Sequence, residues 1–190
     1  MPLDNKSIIK GTYFPPGDKS ISHRILILAG QVIGKSEISN LLEGEDVLNT
    51  LKAMRLLGVQ IKKKDKKYFV FGVPPGGLFQ PNQKIDFGNS GTGIRLLSGL
   101  ISSNNIEVKL VGDRSLSKRP MKRVTEHLSR IGAQFELKNE TFPPIKLKGT
   151  GNALPLKFEI KIPSAQIKSA IMLSALNTKG TVKIKEFKTT

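Results

Sequence analysis

The sequence has 190 residues, 38% of them hydrophobic, enough to bury one core of ordinary domain size. It has no cysteine and only two histidines, His23 and His127, with no carboxylates at metal-ligand spacing around them, which excludes disulfide scaffolds and a cysteine nucleophile and argues against a metal centre. Lys and Arg number 31 against 15 acidic residues, a formal charge of +16, so an anionic partner is to be sought.

Nucleic acid is not the expected partner. The excess lysine is scattered along strands and loops, and the chain has two tyrosines and no tryptophan with which to stack bases. The run Ile61-Lys62-Lys63-Lys64-Asp65-Lys66-Lys67 reads as a solvated hairpin. The first residues, MPLDNKSIIKGTYF, lack the charged-then-apolar pattern of a signal peptide, and no apolar run is long enough for a membrane helix. The expected location is the cytoplasm, with no membrane partner.

Taken in chain order, the hydrophobic periodicity predicts a helix from about Lys19 to Val32, a strand over Ser36 to Asn40, and a second helix from about Asp46 to Leu57. Val47, Leu51 and Met54 share one face of that second helix, which Gly58 ends. Strands near Val59 to Lys63 and Tyr68 to Phe71 follow. The same order then returns. After Gly88-Asn89-Ser90-Gly91-Thr92-Gly93 comes a helix with Ile94, Leu97 and Ile101 inward, then a strand over Ile106 to Val111. Pro120 opens a helix carrying Met121, Val124, Leu128 and Ile131, stopped by Gly132, and strands over Gln134 to Leu137 and Ile145 to Lys148 complete the unit.

A third unit begins at Ser164-Ala165-Gln166, with a helix burying Ile167, Ala170, Ile171 and Leu173 and a strand over Thr181 to Lys185. By the spacing from Asn89 to Gly132, its helix-ending glycine falls beyond residue 190, so the sequence is expected to stop within the third repeat. The fold class implied is α/β with repeated units.

Each unit opens its first helix with polar or glycine-bearing sequence: Gly17-Asp18-Lys19-Ser20, Gly88-Asn89-Ser90-Gly91-Thr92 and Pro163-Ser164-Ala165-Gln166. Free N–H groups and the positive end of the helix dipole suit such starts to anions. Singly, Ser20, Thr92 or Ser164 reads as well as an ordinary helix cap. Lys19, Arg24 and Arg119 read singly as surface charges, and the glycine loop lacks the Gly-Lys-Ser/Thr ending of a P-loop. His23 reads as a packed or hydrogen-bonded residue, and His127 as lying on an outer helix face. If the repeats pack about a pseudo-threefold axis, the three starts converge on one ligand.

Jointly, the segments GDKSISHR, GNSGTGIRLL, GDRSLSKRPM and IPSAQIKSAIMLSALNTKG, in this order, resemble the 5-enolpyruvylshikimate-3-phosphate (EPSP) synthase family over essentially the whole chain. The resemblance implies two domains, each of three βαβαββ units, with the active site between them. Residues 16 to 190 would then form most of the shikimate 3-phosphate domain, and residues 1 to about 15 a strand of the other, C-terminal domain, which is the partner this chain is expected to need.

The reaction implied transfers the enolpyruvyl group of phosphoenolpyruvate to the 5-hydroxyl of shikimate 3-phosphate, releasing phosphate, without cofactor or metal. Carried over residue by residue, Lys19 touches both substrates and the reacting hydroxyl, and is the one catalytic residue expected here. Ser20 and Arg24 hold the shikimate carboxylate. Asn89, Ser90 and Gly91 cradle phosphoenolpyruvate, whose charge Arg119 offsets. Ser164 and Ala165 approach the phosphate of shikimate 3-phosphate, and Gln166 bridges the two ligands.

Two positions depart from the family pattern: Ala165 replaces a second serine, and Leu96 stands where many members have proline. Both suggest the glyphosate-tolerant branch, against which Gly91 stands as glycine. The family's acidic proton carriers lie in the other domain, so the chain alone is not expected to turn over. A UDP-sugar enolpyruvyl transferase, a basic nucleic-acid-binding module and a non-catalytic scaffold remain the alternatives.

Overall fold

The computed structural model describes residues 10–187. Most of the strand expected over residues 1 to about 15 falls outside them, and residues 12–18 are irregular. Asp18 opens helix α1 (Lys19–Ala29) by accepting the Ile21 N–H at 2.7 Å. The helix ends at Ala29, three residues before Val32, and is capped by Gly30, where an added Cβ would lie 2.4 Å from the Met54 Cε. Strand β1 (Gly34–Ser39) leads to helix α2 (Glu45–Leu56), with Glu45 and Asp46 in its first turn and Arg55 in its last, as the helix dipole favours. The antiparallel hairpin β2 (Gln60–Lys64) and β3 (Lys67–Gly72) completes a sheet in the order β1-β3-β2. The lysine run lies on this hairpin as predicted. Lys63 pairs with Glu43 at 2.7 Å, and Lys62 lies over the Phe71 ring.

Next come β4 (Ile85–Asp86), α3 (Gly91–Ser102), β5 (Glu107–Val111), a 3-10 turn (Leu116–Lys118), α4 (Lys122–Ser129), β6 (Gln134–Lys138) and β7 (Phe142–Lys148). Their sheet runs β4-β5-β7-β6, so the order β1-β3-β2 recurs as β5-β7-β6, with β4 added parallel to β5. Finally β8 (Lys157–Ile160), α5 (Ala165–Ala175) and β9 (Lys183–Glu186) form a parallel βαβ unit. The sequence reading missed β4 and β8. Two and four residues carry too little periodicity to register, and each is a strand only because a later strand pairs with it. Helix α4 begins two residues after Pro120, and Ile131 packs from the turn behind it, fully buried. Strand β7 starts earlier than read, because Pro143 and Pro144 precede the stretch from Ile145 that bonds to β5.

The core is organised around α3, on which ten of twelve residues are buried, including Ile94, Leu97 and Ile101 as predicted. A helix apolar on all sides needs neighbours on all sides. Helix α5 lies so close to it that a Cβ added to Gly99 would stand 2.2 Å from the Ala170 carbonyl oxygen. Gly99→Ala gains up to about 1 kcal/mol of helix propensity but forces the two backbones apart, a strain of about 1–3 kcal/mol. Net destabilisation is therefore expected in urea titration. Unchanged or raised stability would show that the helices do not approach so closely.

Candidate functional site

All three helix starts are capped in the same way. Asp18, Ser90 and Ser164 each accept the N–H three residues on, from Ile21 (2.7 Å), Gly93 (3.1 Å) and Ile167 (3.4 Å). Ser90 and Ser164 are thus the caps, while Ser20 and Thr92 lie inside their helices and keep their hydroxyls for other partners. Accepting one bond leaves the half-buried Ser164 hydroxyl its proton to donate outward, whereas Ser90 is wholly buried and its hydroxyl is turned inward.

Side chains tie these starts together in two groups. In the first, Lys19 forms an ion pair with Asp46 of α2, its side chain still 53% exposed. Arg24 reaches across to α5, where its Nε and Nη2 donate to the Ser169 Oγ at 3.3 and 2.9 Å, while its Nη1 donates to the Ser20 carbonyl at 3.1 Å. Ser20 itself is exposed.

In the second group, the Arg119 Nη2 donates to the Asn89 Oδ1 at 2.5 Å. Gln166 takes the Arg95 Nη1 on its Oε1 at 3.0 Å and donates from its Nε2 to the Thr92 Oγ1 at 3.0 Å. Gly91 sits between two guanidinium groups, its notional Cβ 3.0 Å from the Nη1 of both Arg119 and Arg95. Gln166 and Ser169 are three residues apart on α5 and share a face, so α5 joins the two groups. Ser164 begins that helix and Ala165 stands exposed beside it.

A buried seam supports the cluster from behind. The His23 Nδ1 and the Thr50 Oγ1 lie 2.8 Å apart, and Thr50 crowds Gly93, whose notional Cβ would fall 2.6 Å from the same oxygen. One α2 hydroxyl therefore touches both the first turns of α1 and of α3. His23 is fully buried, as a packed residue should be. His127 is half-buried at the α4 edge, 6.1 Å from the Phe158 ring, and does not stand on an outer face as its position on the helix suggested. That neighbour, Phe158, comes from β8, an element invisible to helical periodicity.

The sequence offers no site role for Asp46, Thr50, Arg95 and Ser169, and reads Thr92 only as part of a helix start and as a possible cap. Arg95 carried a signal, as the one charge within an apolar helix. Ser169 lies one turn beyond Gln166. Asp46 and Thr50 lay on a different element from their partners and had none. Among the described residues, cations cluster around Arg95 without an ion-paired carboxylate, and its ionisation is lowered by burial first, then by Arg119 and Arg123. Such a field attracts a polyanion.

Fold and site together define the class: a mixed α/β protein that presents three capped helix starts and several cations on one connected set of side chains. Comparison with known proteins makes it specific. The family model described as EPSP synthase (3-phosphoshikimate 1-carboxyvinyltransferase) matches residues 3–190. The chain is 46% identical over 179 residues to the 3-phosphoshikimate 1-carboxyvinyltransferase of Novosphingobium aromaticivorans, covering 94% of this chain and 41% of that one. It is 45% identical over 185 residues to that of Streptococcus pyogenes serotype M49, covering 96% and 43%. The solved EPSP synthase of Acinetobacter baumannii superposes with a TM-score of 0.89 at 37% identity, over 95% of this chain and 41% of that one. The chain belongs to the EPSP synthase family and spans about two-fifths of the length of these relatives.

Burial, then the charge of Lys19, offset in part by Asp46, lowers the His23 pKa from 6.5 to about 4. The unfolded chain therefore binds the proton more readily, so this contribution to stability is complete above about pH 6.5 and is lost as pH falls toward about 4. Between about pH 7 and about pH 5 the native chain should lose about 2 kcal/mol more than His23→Asn in urea titrations. Parallel losses would mean that His23 is not held neutral by burial.

Proposed function

We propose that this chain is the shikimate 3-phosphate-binding part of an enzyme that moves the enolpyruvyl group of phosphoenolpyruvate to the 5-hydroxyl of shikimate 3-phosphate. The observation that carries the reading is the linkage of three like-capped helix starts by Arg24–Ser169 and by Arg95–Gln166–Thr92, beside Arg119–Asn89. The recurring sheet order favours units related by a pseudo-threefold axis, which brings the starts to one end of the domain. Residues 16 to 190 are assigned to this domain, and the first 15 or so to a strand of the facing one. Its substrates are small anions; neither nucleic acid nor membrane is involved, and no helix among the described residues is long and apolar enough to cross one.

In this reaction the methylene carbon of phosphoenolpyruvate takes a proton while the 5-hydroxyl adds to the adjacent carbon and gives up its own. The resulting tetrahedral intermediate expels phosphate as the methylene carbon loses a proton, restoring the double bond. Two anions must lie side by side, so fixed positive charge is the main requirement placed on the protein. Lys19, held by Asp46 yet half exposed, serves the reacting hydroxyl and both anions. Arg24 offers its planar fork, with Ser20, to the shikimate carboxylate. Ser164, with the N–H of Ala165, receives the phosphate of shikimate 3-phosphate. Asn89, Ser90 and Gly91 receive phosphoenolpyruvate with Arg119, and Gln166 lies between the two ligands.

The Gly91 assignment has a steric consequence. A methyl at this position meets Arg95 and Arg119 at 3.0 Å, so Gly91→Ala in a molecule completed to the relatives' length should weaken phosphoenolpyruvate about tenfold or more and shikimate 3-phosphate distinctly less. Equal weakening of both, read from initial rates and calorimetry, would remove the cradle assignment.

By calorimetry the 190-residue chain should bind shikimate 3-phosphate weakly, and it should release no phosphate with phosphoenolpyruvate. Arg24→Ala and Ser164→Ala should each reduce that binding by about tenfold, the value of one charge-assisted hydrogen bond. Shikimate without its phosphate should feel Arg24→Ala and be nearly indifferent to Ser164→Ala. The reverse ranking would invert the ligand, and turnover by the chain alone would refute the need for a facing domain.

A further inference from the structure

Arg95 stands out as a half-buried cation whose partners among the described residues are all neutral. Its Nη1 donates to the Gly91 carbonyl at 3.1 Å and to the Gln166 Oε1 at 3.0 Å, and its Nη2 donates to the Pro120 carbonyl at 3.1 Å. One guanidinium thus binds the first turn of α3, the start of α5 and the residue after Arg119. These are three segments to which the proposed reaction assigns ligand contacts, yet no role there falls to Arg95 itself.

The chemistry of the donors fixes a detail that electron counting of an amide leaves open. A guanidinium has five N–H donors and no acceptor, so the Gln166 atom facing it must be the oxygen. The Nε2 is then directed to the Thr92 Oγ1, where it uses one of its two hydrogens. With its oxygen turned toward Arg95 and one N–H given to Thr92, the amide keeps one hydrogen-bond donor for a ligand, its second N–H, and it is this donor that an anion can use. We propose that Arg95 is a positioning residue that sets the direction of the Gln166 amide, so that Gln166 meets its anionic ligand as a hydrogen-bond donor. This rests on the functional reading above for the identity of the ligand, though not for the arrangement itself.

Without the guanidinium, the amide is at liberty to rotate by half a turn and present oxygen to an anion, which is repulsive. Lysine at 95 keeps the charge but lacks the rigid fork that reaches three acceptors at once. Charge alone therefore does not suffice.

Two measurements on the 190-residue chain separate this from general electrostatics. In the ligand-free protein, the Gln166 side-chain NH2 pair, assigned by its loss in Gln166→Ala, should show restricted motion by nitrogen relaxation. That restriction should be lost in Arg95→Lys and Arg95→Met, whose thermal unfolding establishes that they fold. If Arg95→Met does not fold, Arg95→Lys carries both measurements.

With shikimate 3-phosphate as the calorimetric probe, Arg95→Lys and Gln166→Ala should each weaken binding by about tenfold, and the double variant by little more than either. An unaltered Gln166 amide in Arg95→Lys, or losses that multiply to about a hundredfold in the double variant, would overturn the proposal. If the native chain binds no shikimate 3-phosphate at all, the functional reading fails, and the relaxation data alone decide the role of Arg95.

Discussion

The close approach of α3 and α5 at Gly99 is the constraint on which the rest of the site depends. Only a residue without a side chain lets the Ala170 carbonyl come so near, and that nearness puts Thr92 and Gln166 within hydrogen-bonding distance across the two first turns. Were the helices held apart by one methyl group, the Arg95 fork would no longer span Gly91, Gln166 and Pro120. Packing in the core thus sets polar geometry about one to two helical turns away.

The buried seam beneath has a comparable role for α1. A neutral histidine and a threonine hydroxyl, both on the core side of the helix starts, connect Lys19's helix to α2 and leave α3 no room for a side chain at Gly93. Neutrality matters here. A protonated His23 would stand close to Lys19 and Arg24 without solvent, adding a third positive charge to an already cationic cluster. Asp46 offsets part of that charge while holding Lys19, so one carboxylate both orients the ammonium and moderates the local field.

The cationic groups are balanced unevenly. Across the outer sheets, lysines pair with glutamates, as in Lys63–Glu43, Lys67–Glu37 and Lys146–Glu136, and those exposed pairs add little stability. Around Gly91 the cations take neutral acceptors instead: amide oxygens, carbonyls and hydroxyls. A high formal charge is therefore a poor guide to function in this protein, whereas it is informative that among the described residues neither Arg95 nor Arg119 pairs with a carboxylate. Leu96, which departs from the family pattern, faces wholly into the core behind the same turn and bears on the ligand face only through α3.

By itself the sequence determined the helices, the repeated order and the chemical character of the three helix starts. Those properties are local: periodic apolar residues at Ile94, Leu97 and Ile101, or at Ile167, Ala170 and Ile171, and capping residues three positions before their N–H partners, require no knowledge of what lies across the fold. The motifs around Lys19, Gly91, Arg119 and Gln166 also sufficed to identify the family. Strands β4 and β8 were decided only by tertiary pairing, since a two-residue strand has no period and exists through its parallel partner. So were Ser169 against Arg24, Thr50 against His23, Asp46 against Lys19, and the direction of the Gln166 amide. Each joins residues from 27 to 145 positions apart, and side chains so far separated acquire a relation only when the packing of helices brings them within 3.5 Å.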